Sequence, residues 1–302
     1  MPEGTASAIC VPASLLQKHC QSFILDTRST MSARNYIHGS SQREQQRLIQ
    51  QADQHAFLLE SNLELHSHET LLEIGCGVGA VLAQIGLKHP EARLCGIDIN
   101  PEQINGAKRY LHEIGLKQVD LQIGDGSSLP WATGQVDRVR MVWVIEHLQD
   151  PLAVLREALR VLRPGGTIHI TETDYTTLRV SPPDQAIETM ISAFITHFNR
   201  HGNAHAGPAL GPLLEQAGFR EVSNSMEGIH HWCPSQTKKL QKFCSYLLEF
   251  IAPEREALLA AAFDPTLAAL IDSGLNRFAR LSERTNGAIS LSVYQARGVK
   301  AA

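Results

Sequence analysis

The chain has 302 residues, enough to bury a sizeable core in one large domain or two modest ones without disulfide or metal staples. Apolar residues make up 43% and charged residues 19%, a globular profile that excludes a disordered chain. The formal charge of −4 argues against a general polyanion binder, because nucleic-acid affinity rests largely on phosphate neutralisation.

The six cysteines, Cys10, Cys20, Cys76, Cys95, Cys233 and Cys244, form no CxxC pair, so neither a zinc site nor a redox motif is expected. The N-terminus lacks the basic start and apolar run of a signal peptide. The most apolar stretch, 71–87, is interrupted by Glu73 and Gln84 and is rich in glycine, so it reads as strand, loop and helix rather than a membrane span. The expectation is a cytoplasmic protein without a membrane partner.

In chain order, Asn35-Tyr36-Ile37-His38-Gly39 precedes Ser41 and Glu44, a capping-box pair that predicts a helix from about 42 to 60. An apolar run at 70–74 ends at glycines, and 78–87 reads as a helix. A second run at 93–97 leads to a helix opening at Pro101, and a third spans 119–123. A fourth run at 136–144 is followed by a helix near Pro151, and a fifth at 167–171 follows the turn Arg163-Pro164-Gly165-Gly166. Strands alternating with helices predict βαβ units and a mostly parallel sheet covered on both faces. Two later runs, 219–222 extending towards Trp232 and 288–296, add antiparallel character. Ligands of such sheets sit beyond the C-terminal strand ends, so the loops 75–80, 98–103 and 125–130 become the candidate site.

The first of these loops carries Gly75, Gly77 and Gly79, which permit a tight turn and close backbone approach to a ligand. Its G-x-G-x-x-A pattern alone is weak. Asp98 follows Gly75 at the distance where an acidic residue receives ribose hydroxyls. A ribose-bearing ligand is therefore favoured, with NAD and S-adenosylmethionine not yet separated. Glu73, just before the glycines, would be awkward beside a pyrophosphate and favourable beside a sulfonium. Asp125 in Gly124-Asp125-Gly126-Ser127 could accept from an exocyclic amine.

These residues resemble the class I S-adenosylmethionine-dependent methyltransferases. The match is a series in order: Glu73-x-Gly75-x-Gly77-x-Gly79, Asp98, Asp125-Gly126 with Leu129-Pro130, Val144-Ile145-Glu146-His147-Leu148, and Leu162-Arg163-Pro164-Gly165-Gly166. The resemblance implies a Rossmann-like α/β fold and S-adenosyl-L-methionine as cofactor, with S-adenosyl-L-homocysteine as product. It implies that Gly75, Gly77 and Gly79 wrap the amino-acid end of the cofactor. Asp98 would hold the ribose, Ile99 would pack on adenine, and Asp125 with Gly126 would meet the adenine amine. Glu73, Gln103, Ser127 and Val144 complete the expected cofactor set. Tyr36 would act as a lid over the sulfonium.

The loop after the fourth strand lacks the Asn/Asp-Pro-Pro-aromatic motif and the Pro-Cys dipeptide of nucleic-acid enzymes. A small-molecule acceptor, a specialised metabolite, is therefore expected, with no nucleic-acid partner. An RNA or protein methyltransferase, a non-catalytic cofactor binder and, more distantly, an NAD-dependent oxidoreductase stay open. His147 is the first candidate base, since imidazole titrates near neutrality. Glu146 belongs to the same motif, and Glu172 and Asp174 end the fifth strand as further bases or anchors.

The remaining sequence reads as an N-terminal lid, 1–62, and a core, 63–302, with cap insertions at about 176–215 and 235–282. His197, His201 and His205 recur at i, i+4, but Gly202 and Gly207 interrupt the helix, and no metal site is expected. Leu240, Phe243, Cys244, Leu247 and Ile251 share one helical face, and Leu267, Leu270, Ile271, Leu275 and Phe278 another. Either the N-terminal segment or the 235–282 helices could mediate a homo-oligomer.

Overall fold

The computed structural model describes residues 41–56, 63, 65–262 and 264–302, all within the unit Met31–Ala302. Ser41 caps the first helix, α1 (Gln42–Gln54), its hydroxyl accepting from Glu44 N. The capping box therefore does start a helix, Gln42–Gln54; positions 57–60 of the expected span lie outside the described residues. Then follow β1 (Thr70–Ile74), α2 (Ala80–Lys88), β2 (Arg93–Asp98), α3 (Pro101–Glu113), β3 (Asp120–Ile123), β4 (Val136–Val142) and α4 (Pro151–Val161). Pro101 and Pro151 each open a helix behind Asn100 and Asp150, whose side chains cap it.

The sheet has seven strands in the order β3-β2-β1-β4-β5-β7-β6. β5 (Leu162–Ser181) and β6 (Arg220–Trp232) flank β7 (Ala288–Val299), which is antiparallel to both. The first five strands in sheet order pair in parallel. The fold is thus the Rossmann-like, mostly parallel sheet with an antiparallel C-terminal strand that the sequence implied. Among the described residues, no helix is long and apolar enough to cross a membrane.

β5 is longer than its apolar run. It continues to Ser181 through an irregular step between Asp174 and Arg179, carrying residues 172–181 beyond the sheet's parallel part. Onto that extension pack α5 (Gln185–Phe198), α7 (Thr237–Ile251) and α9 (Pro265–Ala279). Phe194, Phe198, Phe243, Leu247, Ile271 and Phe278 bury together there. The two apolar stripes of the 235–282 region meet in this second core. Between the caps run α6 (Ala206–Ala217), which covers the opposite face of the sheet with α4, and the short α8 (Arg255–Ala260). The three histidines do not converge: His197 pairs with Glu254 at 3.1 Å and His205 with Asp174 at 3.0 Å. No cluster of three metal-binding side chains occurs among the described residues.

A row of ionisable side chains crosses the sheet beneath α2. Glu73 on β1 lies opposite Arg140 on β4, and Arg140 opposite His169 on β5. Burial pushes Glu73 up to about 8 and Arg140 down to about 10. Burial, aided by the neighbouring arginines, holds His169 neutral at about 3. An unfolded histidine titrates near 6.5 and so takes its proton first as pH falls. The stability that His169 contributes is therefore complete above about pH 6.5 and is lost as pH drops towards 3. His169→Gln is expected to flatten this acid limb by about 2–3 kcal/mol between roughly pH 6.5 and 4, read from urea midpoints. An unchanged pH profile would contradict a buried neutral imidazole.

Candidate active site

A cavity of about 180 Å3 opens at the C-terminal ends of β1, β2 and β4. One half is a backbone trough. Gly75 and Gly77 have φ of +72° and +49°, conformations natural to glycine. A Cβ on Gly75 would lie 2.5 Å from Val144 Cγ2, so the turn and the loop after β4 meet with no room for a side chain.

Asp98 fixes this half. Its Oδ2 accepts from Gly77 N at 2.8 Å and its Oδ1 from Asn100 N at 2.9 Å. Burial raises the Asp98 pKa, and the two backbone donors oppose that rise. Ile99, Gln103, Asp125, Gly126 and Val144 join it in the wall. Gln103 is 3% exposed and its Oε1 has no hydrogen-bond partner. A buried acceptor left open in a cavity wall calls for a donor from a ligand, such as a hydroxyl. The cradle that a Cβ would fill and this open amide oxygen both fit a ribose-bearing cofactor.

The other half is aromatic and ionisable. Arg47, Trp143, Glu146, His147, Tyr175 and Phe250 surround it. Arg47 Nη2 and Nε donate to Glu44 at 2.6 and 2.7 Å, and its guanidinium lies 5.6 Å from the Phe250 ring centre. Trp143 adopts φ +52°, rare for a non-glycine residue, with its indole N–H on Thr173 Oγ1 at 3.0 Å. Burial, reinforced by the Arg47 charge, holds His147 neutral at about 4. Its Nε2 lies 3.5 Å from Glu146 Oε1, and its ring packs against Phe198.

Several expected residues lie elsewhere. Glu73 is outside the cavity wall, because strand alternation turns it to the α2 face while Leu72 and Ile74 face the opposite core. Gly79 begins α2 and packs against Leu111 rather than the cavity. Ser127 is exposed and serves Asp125, whose Oδ1 accepts from its N–H and its hydroxyl at 2.9 Å each. Glu172 is fully buried behind the wall. Its Oε1 accepts from Val144 N at 2.8 Å and Ile145 N at 2.6 Å, so it shapes the loop after β4. Asp174 points to His205. Tyr36 lies outside the described residues.

Arg47, Gln51, Tyr175 and Phe250 enter the wall without having been singled out for it. The signal for the first two was present. Glu44, Arg47 and Gln51 recur at helical spacing, and a buried polar face on α1 is out of place unless it lines something.

The mostly parallel sheet with one inserted antiparallel strand thus carries a glycine–acid trough at its strand ends. Residues 72–170 match the family model described as "Methyltransferase domain", and this segment is such a domain. Among curated proteins, the chain is 34% identical to ajmaline N-methyltransferase of Rauvolfia serpentina over 39% of this chain and 40% of the relative. It is 33% identical to an uncharacterised 37.1 kDa transposon protein of Streptomyces fradiae, over 44% of this chain and 39% of the relative. The match thus spans about two fifths of those relatives. Among solved structures, a Haemonchus contortus phosphoethanolamine N-methyltransferase overlays with a TM-score of 0.53 at 16% identity. That overlay covers 83% of this chain and 53% of the other.

Proposed function

We infer that this chain transfers the methyl group of S-adenosylmethionine to a small-molecule acceptor. The observation that carries this reading is the continuity of one cavity. Its backbone trough suits a nucleoside cofactor, and its aromatic chamber is closed by α1, the β5 extension and α7. Chamber walls taken from the caps suit a compact acceptor. In-line displacement at a sulfonium needs alignment and exclusion of water more than covalent help.

In this reading Gly75 and Gly77 cradle the methionine end, and Asp98 and Gln103 hold ribose hydroxyls. Ile99 packs on adenine, and Asp125 with Gly126 receives its amine. Arg47 and Gln51 of α1 and Phe250 of the 235–282 insertion wall the acceptor chamber. The name of the Rauvolfia relative supports an acceptor among specialised metabolites. The −4 charge supports a reading without a nucleic-acid partner.

Calorimetry with S-adenosylmethionine, S-adenosylhomocysteine and NAD tests the cofactor assignment. The first two are expected to bind and NAD is not. Binding of NAD alone, or of none of the three, would overturn the reading.

A further inference from the structure

Two buried carboxyls sit at the reacting end of the chamber. Glu146 lines the cavity and Glu172 lies behind it, at 1% and 0% exposure. Glu172 Oε1 is occupied by two backbone N–H groups. Tyr175 lies beside the Glu146 carboxyl, whose Oε1 is 3.5 Å from His147 Nε2. The Oε2 atom of each residue is buried with no donor. The two carboxyls are neighbours, close enough for one to hydrogen-bond the other if it carries a proton. Two ionised carboxylates cannot do so in a dry site, whereas a carboxylic acid and a carboxylate can.

We propose that Glu146 and Glu172 share one proton, and that this pair receives the proton of the acceptor, a neutral hydroxyl compound of the phenol or enol class. Glu146 is the catalytic group and Glu172 positions it. Burial raises both carboxyls, consistent with retention of the shared proton. The other ionisable groups facing the pair do not take this part. Arg47 is engaged by Glu44, burial pushes the Tyr175 and Tyr246 hydroxyls up, and His147 is held neutral as a weak base.

Charge balance requires an acceptor that enters neutral and gives up one proton; a phenol or enol needs a base to become a strong nucleophile, whereas a neutral amine attacks through its lone pair. A pair with one proton carries one negative charge, matching the single positive charge of a sulfonium. On transfer the acceptor O–H bond breaks, its proton passes to Glu146, and the shared proton settles on Glu172. The O–CH3 bond forms as the S–CH3 bond breaks, and that electron pair stays on sulfur. Both charges vanish together, so none is stranded in the buried chamber. An ammonium acceptor would add a second cation beside the sulfonium. Tyr175 stacks on Phe250, ring centres 5.4 Å apart and planes 17° apart, forming a flat wall suited to a planar acceptor.

This inference rests on the methyl-transfer reading, and calorimetry on the full chain separates the two. Proton release is counted by titrating each cofactor form in buffers of different ionisation enthalpy near neutral pH. S-adenosylmethionine is expected to release protons on binding and S-adenosylhomocysteine is not, because near neutral pH the empty chamber holds part of a second proton on the pair, and only the sulfonium drives it off and leaves the single shared proton. Glu146→Gln and Glu172→Gln should each abolish that difference; the amide introduced by Glu172→Gln keeps an Oε1 for the two backbone N–H groups. The double variant should lose about tenfold in preference for the sulfonium form. Equal release by both ligands in the wild type, or unchanged release in the single variants, overturns the shared proton. If neither ligand binds the wild type, the methyl-transfer reading itself fails. A panel of phenols, enols and amines with isotopically labelled cofactor tests the acceptor class. Labelled hydroxyl products are expected; labelling of amines alone, or of nothing, counts against it.

Discussion

Asp98→Ala is expected to weaken binding of S-adenosylmethionine and S-adenosylhomocysteine alike, by about a hundredfold. A charge-assisted hydrogen bond contributes about 1.5–3 kcal/mol, and two ribose hydroxyls lost together amount to about 3 kcal/mol, or two decades in Kd. Asp98 also holds Gly77 N and Asn100 N, so its loss loosens the glycine turn and the start of α3. Asp98→Asn separates these contributions. Its amide oxygen can still accept from one backbone N–H, but its NH2 faces the other and the carboxylate charge is gone, so most of the affinity loss should persist while the melting temperature recovers only in part. The ribose is common to both cofactor forms. A variant that discriminates between them, or one with wild-type affinity in calorimetry, would remove Asp98 from the ribose role.

The sheet was legible because its cues are local. Four of the β-type runs, 70–74, 93–97, 119–123 and 167–171, are followed directly by glycine or an acidic residue, and Pro101 and Pro151 marked helix starts that the structure keeps. The trough was legible for a related reason, since Gly75, Gly77, Asp98, Ile99 and Asp125 occupy consecutive strand ends that a parallel sheet must bring together. What sequence could not supply was side-chain direction and long-range closure. Glu73 precedes the glycines by only two residues, yet strand alternation sends it to the other face, against Arg140. Glu172 stands at a strand end that suggested a base, yet two backbone donors draw it inward. Arg47, Tyr175 and Phe250 come from three elements far apart in the chain, and no local pattern records that they share one wall.

Gly75→Ala is expected to abolish cofactor binding and to lower stability by about 2–5 kcal/mol. Two costs combine. At φ +72° an L side chain occupies the left-handed region, at about 1–2 kcal/mol. The new Cβ would also stand 2.5 Å from Val144 Cγ2, an overlap that forces the loop after β4 to move, at about 1–3 kcal/mol. That loop cannot move freely, because Glu172 holds Val144 N and Ile145 N. The strain therefore reaches the residues that follow, Glu146 and His147, as well as the trough. Adding Val144→Ala to Gly75→Ala removes the methyl that clashes while leaving the backbone cost in place. The double variant should regain roughly half of the lost melting temperature. Gly77→Ala is the matched control: its Cβ would meet Leu48 Cδ1 at an ordinary 3.5 Å, so it carries only the backbone cost of φ +49°. If Gly75→Ala and Gly77→Ala melt alike and Val144→Ala rescues neither, close packing of the turn against the β4 loop is not what requires glycine at position 75.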